Sequence, residues 1–274
     1  MDEPRLRALI ERQIKADVDG LVPCGTTGES PTLTHEEHKR VVELTIESVR
    51  GRCKVVAGTG SNSTDEAISL TQHAARAGAD GSLQVTPYYN KPTQAGLLAH
   101  FRAIAKAAKI PLVLYNIPGR CGVDISLETT ITLSREGTVV GIKEASGSTD
   151  RVGQLRVALG KNFSILSGDD ALTLPMMAVG ADGVVSVASN LVPRDVVEMV
   201  RLANSGQFKR AEAIHLKFLP LFKDLFIETN PIPIKAALAM AGQIEEFYRL
   251  PLVPMNRSNR ARLRRMLREL RIVK

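Results

Sequence analysis

The sequence predicts an α/β fold: a TIM (β/α)8 barrel followed by a C-terminal helical extension. Its 274 residues suit one such barrel, which takes about 250 residues. Short β-rich runs alternate with longer helical patterns, as in repeated βα units with a parallel sheet. The turn after the first run, 25–30, lacks the G-x-G-x-x-G spacing of an open dinucleotide-binding sheet. These observations favour a closed barrel over an open, doubly wound sheet.

Seven segments are predicted as strands, with starts 20 to 34 residues apart. They are 20–24, 54–58, 82–86, 111–116, 139–143, 163–167 and 183–187. Thr34 and Ser63 each precede a glutamate by three residues, which predicts a capping box at the start of a helix. Gly78 predicts a helix end. We assign residues 1–206 to the barrel and 207–274 to the helical extension.

The charge is concentrated at one end of the chain. The formal net charge is +7, and residues 257–274 contain eight basic residues and one acidic residue, so they carry all of it. Leu263, Met266, Leu267 and Leu270 recur at helical spacing, which predicts a docked helix with a solvated basic face. The alternative is a nucleic-acid or anionic-membrane contact. The segment lacks the interleaved aromatic residues that stack on bases, so we expect neither partner.

The composition also limits the class of protein. Cys24, Cys53 and Cys121 are too few and too scattered for a disulfide framework or a zinc site. None of the five histidines stands in a metal-binding pattern, so we expect no metal. No apolar run approaches the length of a membrane span, and the first residues do not resemble a secretory signal. We therefore expect a cytoplasmic location.

Candidate chemistry lies where the strands end, since barrel enzymes carry their active sites at that edge. Lys143 shares a strand face with Val139 and Gly141. If that face points inward, desolvation lowers the pKa of the amine, and a neutral amine can form a Schiff base with a ketone. We expect Gly141 to clear space below the amine. The alternative is a solvated lysine at a strand end.

Other strand ends carry further candidates. The glycine-flanked hydroxyls of Thr26 and Thr27 can hold a small carboxylate. Tyr115 can donate or relay a proton, and Arg120 can bind a carboxylate. The alternatives are a polar turn, a core aromatic residue and a solvated charge. We interpret 169–170 as a turn and helix start rather than a metal site.

Five segments together resemble the pyruvate-dependent class I aldolases of the dihydrodipicolinate synthase and N-acetylneuraminate lyase superfamily. They are 25–30, 88–92, 115–120, 141–145 and 167–170. The resemblance runs from near residue 5 to at least 254. It implies a barrel whose only prosthetic chemistry is a covalent Schiff base with pyruvate, assembled as a homotetramer, a dimer of dimers.

Three features favour the branch of the superfamily that serves diaminopimelate and lysine biosynthesis. They are the double threonine 26–27, the Tyr-Tyr-Asn-Lys-Pro segment 88–92, and Arg120. The resemblance then implies condensation of pyruvate with L-aspartate 4-semialdehyde. Two alternatives stay open: a sugar-acid acceptor with the same chemistry, and a non-catalytic protein, either a binding module or an inactive, N-terminally truncated form.

The resemblance assigns roles to individual residues. Lys143 forms the Schiff base, and Tyr115 donates and relays protons. Thr27 links Tyr115 to Tyr89, which enters from a neighbouring subunit. Substrate is bound by Thr26, Thr27, Arg120, Gly168 and Val185. Thr26 and Thr27 hold the pyruvate carboxylate, and Arg120 receives the carboxylate of the semialdehyde.

A regulatory site for L-lysine is also implied, at a subunit interface. The matching positions are Ser30, His35, His38, Asn62, Glu66 and Tyr88. In this resemblance Glu66 binds the ammonium group of the inhibitor, while Tyr88 and Asn62 bind its carboxylate.

One feature departs from the family pattern. Family members begin with an apolar strand ahead of the first helix, whereas this chain starts in or just before that helix. We therefore expect the first barrel strand to be missing. Either the start is misassigned or the chain is truly truncated.

Overall fold

A computed structural model describes residues 1–274 and shows one parallel sheet of seven strands, paired with one another in chain order. The strands are β1 (Gly20–Leu21), β2 (Lys54–Gly58), β3 (Gly81–Val85), β4 (Leu112–Asn116), β5 (Gly141–Glu144), β6 (Ser164–Ser167) and β7 (Gly183–Val184). All seven predicted strands are confirmed, but β1 and β7 are shorter than expected. The sheet curls into a TIM-like half-barrel in which β1 and β7 are not paired with each other. The missing first strand stays a prediction.

One helix precedes the first strand, and the others connect and follow the strands. They are α1 (Glu3–Lys15), α2 (His35–Val49), α3 (Thr64–Ala77), α4 (Gln94–Ala107), α5 (Pro118–Cys121), α6 (Leu127–Arg135), α7 (Thr149–Leu159), α8 (Thr173–Ala178), α9 (Pro193–Asn204), α10 (Phe208–Asp224), α11 (Ile232–Met240) and α12 (Arg257–Glu269). Because each strand runs parallel to the next, the carboxyl ends of all seven strands meet at one edge of the sheet.

All three predicted helix boundaries are confirmed, but only one of the two predicted capping boxes is complete. Thr34 and Glu37 form a full capping box, with the backbone N–H of each donating to the side chain of the other. Gly78 ends α3 with a φ of +96°, a conformation that glycine adopts without strain. At Ser63 the capping box is wrong. Its hydroxyl accepts from the Glu66 N–H at 3.5 Å, but the Glu66 carboxylate is bonded to other side chains.

Two large apolar clusters form the core. One lies between the sheet and its flanking helices, with Phe101, Leu114 and Ile142 fully buried. The other lies beneath the C-terminal helices and joins Phe222 of α10 to Val196 of α9. Because this second cluster draws residues from both sides of position 206, the division into residues 1–206 and 207–274 stays a prediction.

The last helix, α12, docks by its apolar face as predicted, since Leu263 and Leu267 are fully buried. Two of its arginines pair with acidic side chains on neighbouring elements, Arg260 with Glu246 at 2.5 Å and Arg262 with Asp224 at 2.7 Å. Six exposed basic residues of this segment have no acidic side-chain partner: Arg257, Arg264, Arg265, Arg268, Arg271 and Lys274. We call residues 257–274, which are α12 and the five residues after it, the basic helix. None of the helices is long and apolar enough to cross a membrane.

Candidate active site

Lys143 is the third residue of β5, and its amine lies beside an aromatic ring. Its Nζ is 4.0 Å from the centre of the Tyr115 ring. The two strands are paired so that Tyr115 stands directly opposite Lys143. Burial lowers the pKa of the Lys143 amine to about 8, the nearby Asp170 carboxylate opposes this fall, and the Arg120 guanidinium adds to it. The inward-facing amine that the strand pattern predicts is therefore present.

Two glycines lie near Lys143, and a side chain at each would meet different neighbours. A Cβ at Gly168 would lie 3.1 Å from Cε of Lys143 and 2.7 Å from Cβ of Ala145, so a side chain there would displace the lysine stem. Gly168 thus lies against the stem of Lys143, and its predicted contact with substrate stays a prediction. A Cβ at Gly141 would instead lie 2.7 Å from the backbone oxygen of Ser164. Gly141 permits close packing of β5 on β6, and the expectation that it clears space below the amine is wrong.

Tyr115 is the fourth of the five residues of β4 and is 6% exposed. Burial raises the pKa of its hydroxyl to about 12, while the nearby polar side chain of Thr26 and the charge of Arg120 act in the opposite direction. A phenol with this pKa keeps its proton at neutral pH, so it can donate a proton and then recover it.

The threonine pair follows β1 on a 3-10 turn, Thr26–Gly28. The Thr26 side chain lies near the Tyr115 hydroxyl and acts against the rise of its pKa. The Thr27 hydroxyl accepts from Nδ2 of Asn230 at 3.0 Å. The expected link from Thr27 to Tyr115 stays a prediction.

Arg120 lies on α5, directly after β4, and is exposed. Its Nη2 donates to the backbone oxygen of Asn230 at 3.2 Å. Asn230 thus contacts both Thr27 and Arg120. No spacing signal along the chain connects Asn230 with residues 110 and 203 positions away.

Asp170 is a second residue that the sequence interpretation missed. Its carboxylate is 2% exposed and accepts from the backbone N–H groups of Val187 and Ala188, each at 2.9 Å, and from the Ser186 hydroxyl. Burial raises the pKa of Asp170. These bonds fix the segment that follows Val185, and Val185 is itself bonded through its N–H to the Ser167 oxygen at 2.9 Å. The neighbouring Asp169 caps a helical turn, as predicted.

Tyr89 is not brought to Tyr115 within one chain. It is 89% exposed, with a φ of +70°, on the loop after β3. No group of three or more histidine, cysteine, aspartate or glutamate side chains is arranged to hold a metal ion.

The sequence model of the dihydrodipicolinate synthetase family matches residues 1–270. The chain belongs to this family. A relative from Syntrophus aciditrophicus, named 4-hydroxy-tetrahydrodipicolinate synthase, is 54% identical over 97% of this chain and 92% of its own length. This relationship confirms the resemblance found in the five sequence segments.

Solved structures of dihydrodipicolinate synthases share the fold. The enzyme from Acinetobacter baumannii, crystallised with pyruvate, superposes with a TM-score of 0.97 at 43% identity, over all of this chain and 94% of its own. The enzyme from Cyanidioschyzon merolae, crystallised with lysine bound, gives a TM-score of 0.96 at 42% identity, over 99% of this chain and 93% of its own.

The positions predicted for lysine binding in this family fall partly into one cluster. Glu66 bonds Nε2 of His35 at 2.6 Å and the hydroxyl of Ser61. Asn62 donates from Nδ2 to the backbone oxygen of Tyr88 at 3.2 Å. The hydrogen bond from Ser61 lowers the pKa of Glu66, so this carboxylate is charged at neutral pH.

The remaining two positions differ in character. His38 is buried, lies 2.8 Å by Nε2 from the Gly58 oxygen, and has its pKa lowered by burial. Ser30 opens the 3-10 turn Ser30–Thr32 and is partly exposed. His38 therefore faces the core, whereas the His35 and Glu66 side chains are 65% and 34% exposed.

Proposed function

We propose that this protein condenses pyruvate with L-aspartate 4-semialdehyde to give 4-hydroxy-tetrahydrodipicolinate, the committed step of diaminopimelate and lysine biosynthesis. The observation that carries the proposal is the buried Lys143 amine, with its pKa lowered to about 8, beside the protonated Tyr115. Membership of the family and the name of the 54% identical relative support it. The reaction class is that of a lyase of the class I aldolase type.

The first half of the reaction uses the amine and the phenol. The neutral Lys143 amine adds to the ketone carbon of pyruvate, and the resulting carbinolamine loses water to form an iminium. Tyr115 gives a proton to the departing hydroxyl and recovers one when the methyl group is deprotonated to an enamine. Thr26 lies near the Tyr115 hydroxyl, and Thr27 with neighbouring backbone amides binds the pyruvate carboxylate. The Schiff base makes a separate cofactor unnecessary.

The second half requires an acceptor held by its carboxylate. The enamine carbon attacks the aldehyde carbon of the semialdehyde, and Tyr115 protonates the new alkoxide. The acceptor's own amine then attacks the iminium carbon, closes the ring and releases Lys143. Arg120 is exposed at the mouth of the site, where its guanidinium can bind the acceptor carboxylate bidentately. This arginine favours the semialdehyde over an uncharged sugar terminus.

The decisive experiment is trapping with borohydride. The protein is incubated with pyruvate, reduced, and digested for mass spectrometry. We expect one reduced pyruvyl group on Lys143 in the wild type and none in Lys143→Met, with Lys161→Met as a control for surface amines. Absence of the adduct would contradict the proposal and favour an inactive form. Turnover with aspartate semialdehyde but not with N-acetylmannosamine separates the two candidate acceptors.

We also propose that L-lysine inhibits the enzyme by binding at the cluster of Glu66, His35, Asn62 and Tyr88. The charged Glu66 carboxylate suits the ammonium group of lysine, and a lysine-bound family structure supports the idea. Glu66→Gln should make the rate insensitive to lysine, whereas Glu43→Gln, whose carboxylate faces His73 of α3 outside the cluster, should not. A wild-type rate that millimolar lysine leaves unchanged would exclude this proposal.

Finally, we propose a cytoplasmic homotetramer in which Tyr89 enters the active site of a neighbouring subunit. The support is its 89% exposure in a single chain, unusual for a tyrosine in a constrained loop. Light scattering measures the assembly. Tyr89→Phe should lower kcat without changing the measured mass, and an unaffected kcat would remove Tyr89 from the mechanism.

A further inference from the structure

Behind the pair of Lys143 and Tyr115 lies a second pair of polar side chains. The next residues along the two strands, Glu144 and Asn116, also stand opposite each other. Because successive strand residues face opposite sides of a sheet, these two point away from the amine. Both are completely buried, and the Nδ2 of Asn116 lies 3.2 Å from each oxygen of the Glu144 carboxylate. The immediate neighbours of both reacting residues are therefore bonded to each other across the strands.

Two charged side chains complete this group. Arg151, near the start of α7, donates from Nε to Glu144 at 2.7 Å. Asp124 accepts from Nδ2 of Asn116 at 2.7 Å and lies 3.8 Å from Nη1 of Arg151. We call Asn116, Asp124, Glu144 and Arg151 the buried clamp after its two fully buried members, Asn116 and Glu144, while Asp124 lies at its exposed end. The charge of Glu144 is balanced by the Arg151 guanidinium inside the protein. A buried carboxylate that is paired and hydrogen-bonded in this way resists displacement.

The buried clamp also closes the loop that carries Arg120. The Oδ1 of Asn116 accepts from the backbone N–H of Ile125 at 3.0 Å, and the Arg151 guanidinium donates to the Ile125 oxygen. The segment 117–124 is thus held at both ends by the same group. Beyond Glu144, the N–H of Ser146 donates to its carboxylate at 2.7 Å and fixes the turn that follows β5.

We infer that the buried clamp is a positioning device for the reaction: it sets the placement of Lys143, Tyr115 and Arg120 without touching substrate. The inference rests on the proposed function. All three reacting groups are adjacent to, or enclosed by, members of the buried clamp, and no other group in the chain bonds both strand ends and the Arg120 loop. A misplacement of about 1 Å in reacting groups can cost about a hundredfold in rate, so such a device bears directly on kcat.

The test uses Arg151→Lys and Glu144→Gln, with Arg156→Lys as the matched control. Arg156 lies on the same helix and pairs with Asp182 at 2.8 Å, and Asp182 accepts from the Ile165 N–H at 2.8 Å. That pair therefore resembles the buried clamp in chemistry but serves the start of β6, away from the reacting groups. Should Glu144→Gln fail to fold, Arg151→Lys, which keeps the charge, decides the question.

Three quantities are measured: the melting temperature, kcat and KM for both substrates, and the pH midpoint of borohydride trapping with pyruvate. We expect both clamp variants to lower kcat about tenfold or more and to shift the midpoint, because the amine moves relative to Tyr115 and Asp170. Arg156→Lys should lower only the melting temperature. If Arg151→Lys loses stability but keeps the wild-type kcat and midpoint, the inference is overturned. A wild type that forms no adduct would instead overturn the proposed function on which the inference rests.

Discussion

The amine nitrogen of Lys143 lies 4.0 Å from the centre of the Tyr115 ring, at directly opposed positions of β5 and β4. Burial moves the two pKa values apart, to about 8 for the lysine and about 12 for the tyrosine. Near neutral pH a fraction of the lysine is therefore neutral, while the tyrosine keeps its proton. A nucleophile and a proton donor thus coexist side by side, as imine formation requires.

The first prediction concerns the pH dependence of imine formation. Only the neutral amine attacks, so the trapping rate should rise about tenfold per pH unit and level off near pH 8, the pKa of Lys143. Tyr115, with its pKa about 12, should cause no decline up to about pH 10. Asp170→Asn should move the midpoint to lower pH, because the Asp170 charge raises the pKa of Lys143. A midpoint near that of free lysine would contradict the buried position of the amine.

The second prediction is that the reactive lysine lowers the stability of the fold. Its pKa falls from 10.5 to about 8 on folding, so below pH 8 burial of the ammonium destabilises the native state. Lys143→Met should therefore raise the free energy of unfolding at pH 7 by about 1–3 kcal/mol. Between pH 8 and 10.5 the unfolded lysine binds more protons than the folded one, so wild-type stability rises and the gain shrinks.

Urea unfolding without substrate measures this gain. Lys235→Met is a matched control, since Lys235 is also partly buried but pairs with the buried Glu29 carboxylate. Removing that partner should destabilise the protein. Equal stability of Lys143→Met and wild type at pH 7 would refute the idea that the Lys143 amine is buried at an energetic cost.

The third prediction separates the two adjacent threonines. The Thr26 side chain lies near the Tyr115 hydroxyl and stabilises its deprotonated form, so Thr26→Val should lower kcat about tenfold to a hundredfold. Thr27 bonds Asn230, so Thr27→Val should chiefly raise KM for pyruvate. The comparison uses steady-state kinetics of both variants. The two substitutions are at adjacent positions, and each replaces threonine by valine, which has a side chain of the same shape. A larger effect on kcat from Thr27→Val would assign the relay to Thr27 and contradict a role for Thr26 in it.

The fourth prediction concerns the ion pair that ties α2 to the C-terminal region. Arg249 donates to the Glu37 carboxylate at 2.5 and 2.6 Å, and this hydrogen bonding lowers the pKa of Glu37 to about 2. A depressed carboxylate contributes stability above its unfolded pKa of 4.5 and loses it as the pH falls toward 2. Glu37→Gln should therefore be less stable than wild type at pH 6, with the difference vanishing near pH 2.

Thermal unfolding across this pH range tests the prediction. Glu36→Gln is the control, because the adjacent Glu36 pairs with Lys39 on the surface and is 84% exposed. Exposed pairs of this kind contribute little. A Glu37→Gln deficit that persists unchanged at low pH would show that the carboxylate charge is not its cause.

Much of the fold could be predicted from local pattern. The alternation of short apolar runs with capped helices locates all seven strands, and strand parity points Lys143 inward. The end of β7 could not be predicted, because the sequence of Val185–Val187 is typical of a strand. In the structure the Val187 N–H donates to the Asp170 carboxylate, and the chain turns after Val184. A tertiary hydrogen bond there overrides β propensity.

The candidate site was harder to predict, since its side chains meet only after folding. Lys143, Tyr115 and Arg120 follow from their places at strand ends. Asn230 does not, because it comes from the helical extension and reaches the site across a large sequence separation. The choice between Thr26 and Thr27 depends on side-chain directions within one tight turn, which spacing cannot resolve.

The basic helix makes the distribution of net charge over the protein uneven. Residues 1–256 are neutral overall, while residues 257–274 carry the entire charge of +7, with six exposed basic residues unanswered by acidic side chains. The isoelectric point of 9.4 therefore describes one end of the protein and not its general surface. On a cation exchanger the protein should bind in a fixed orientation, end-on, and its elution should depend on whether this short terminus is intact.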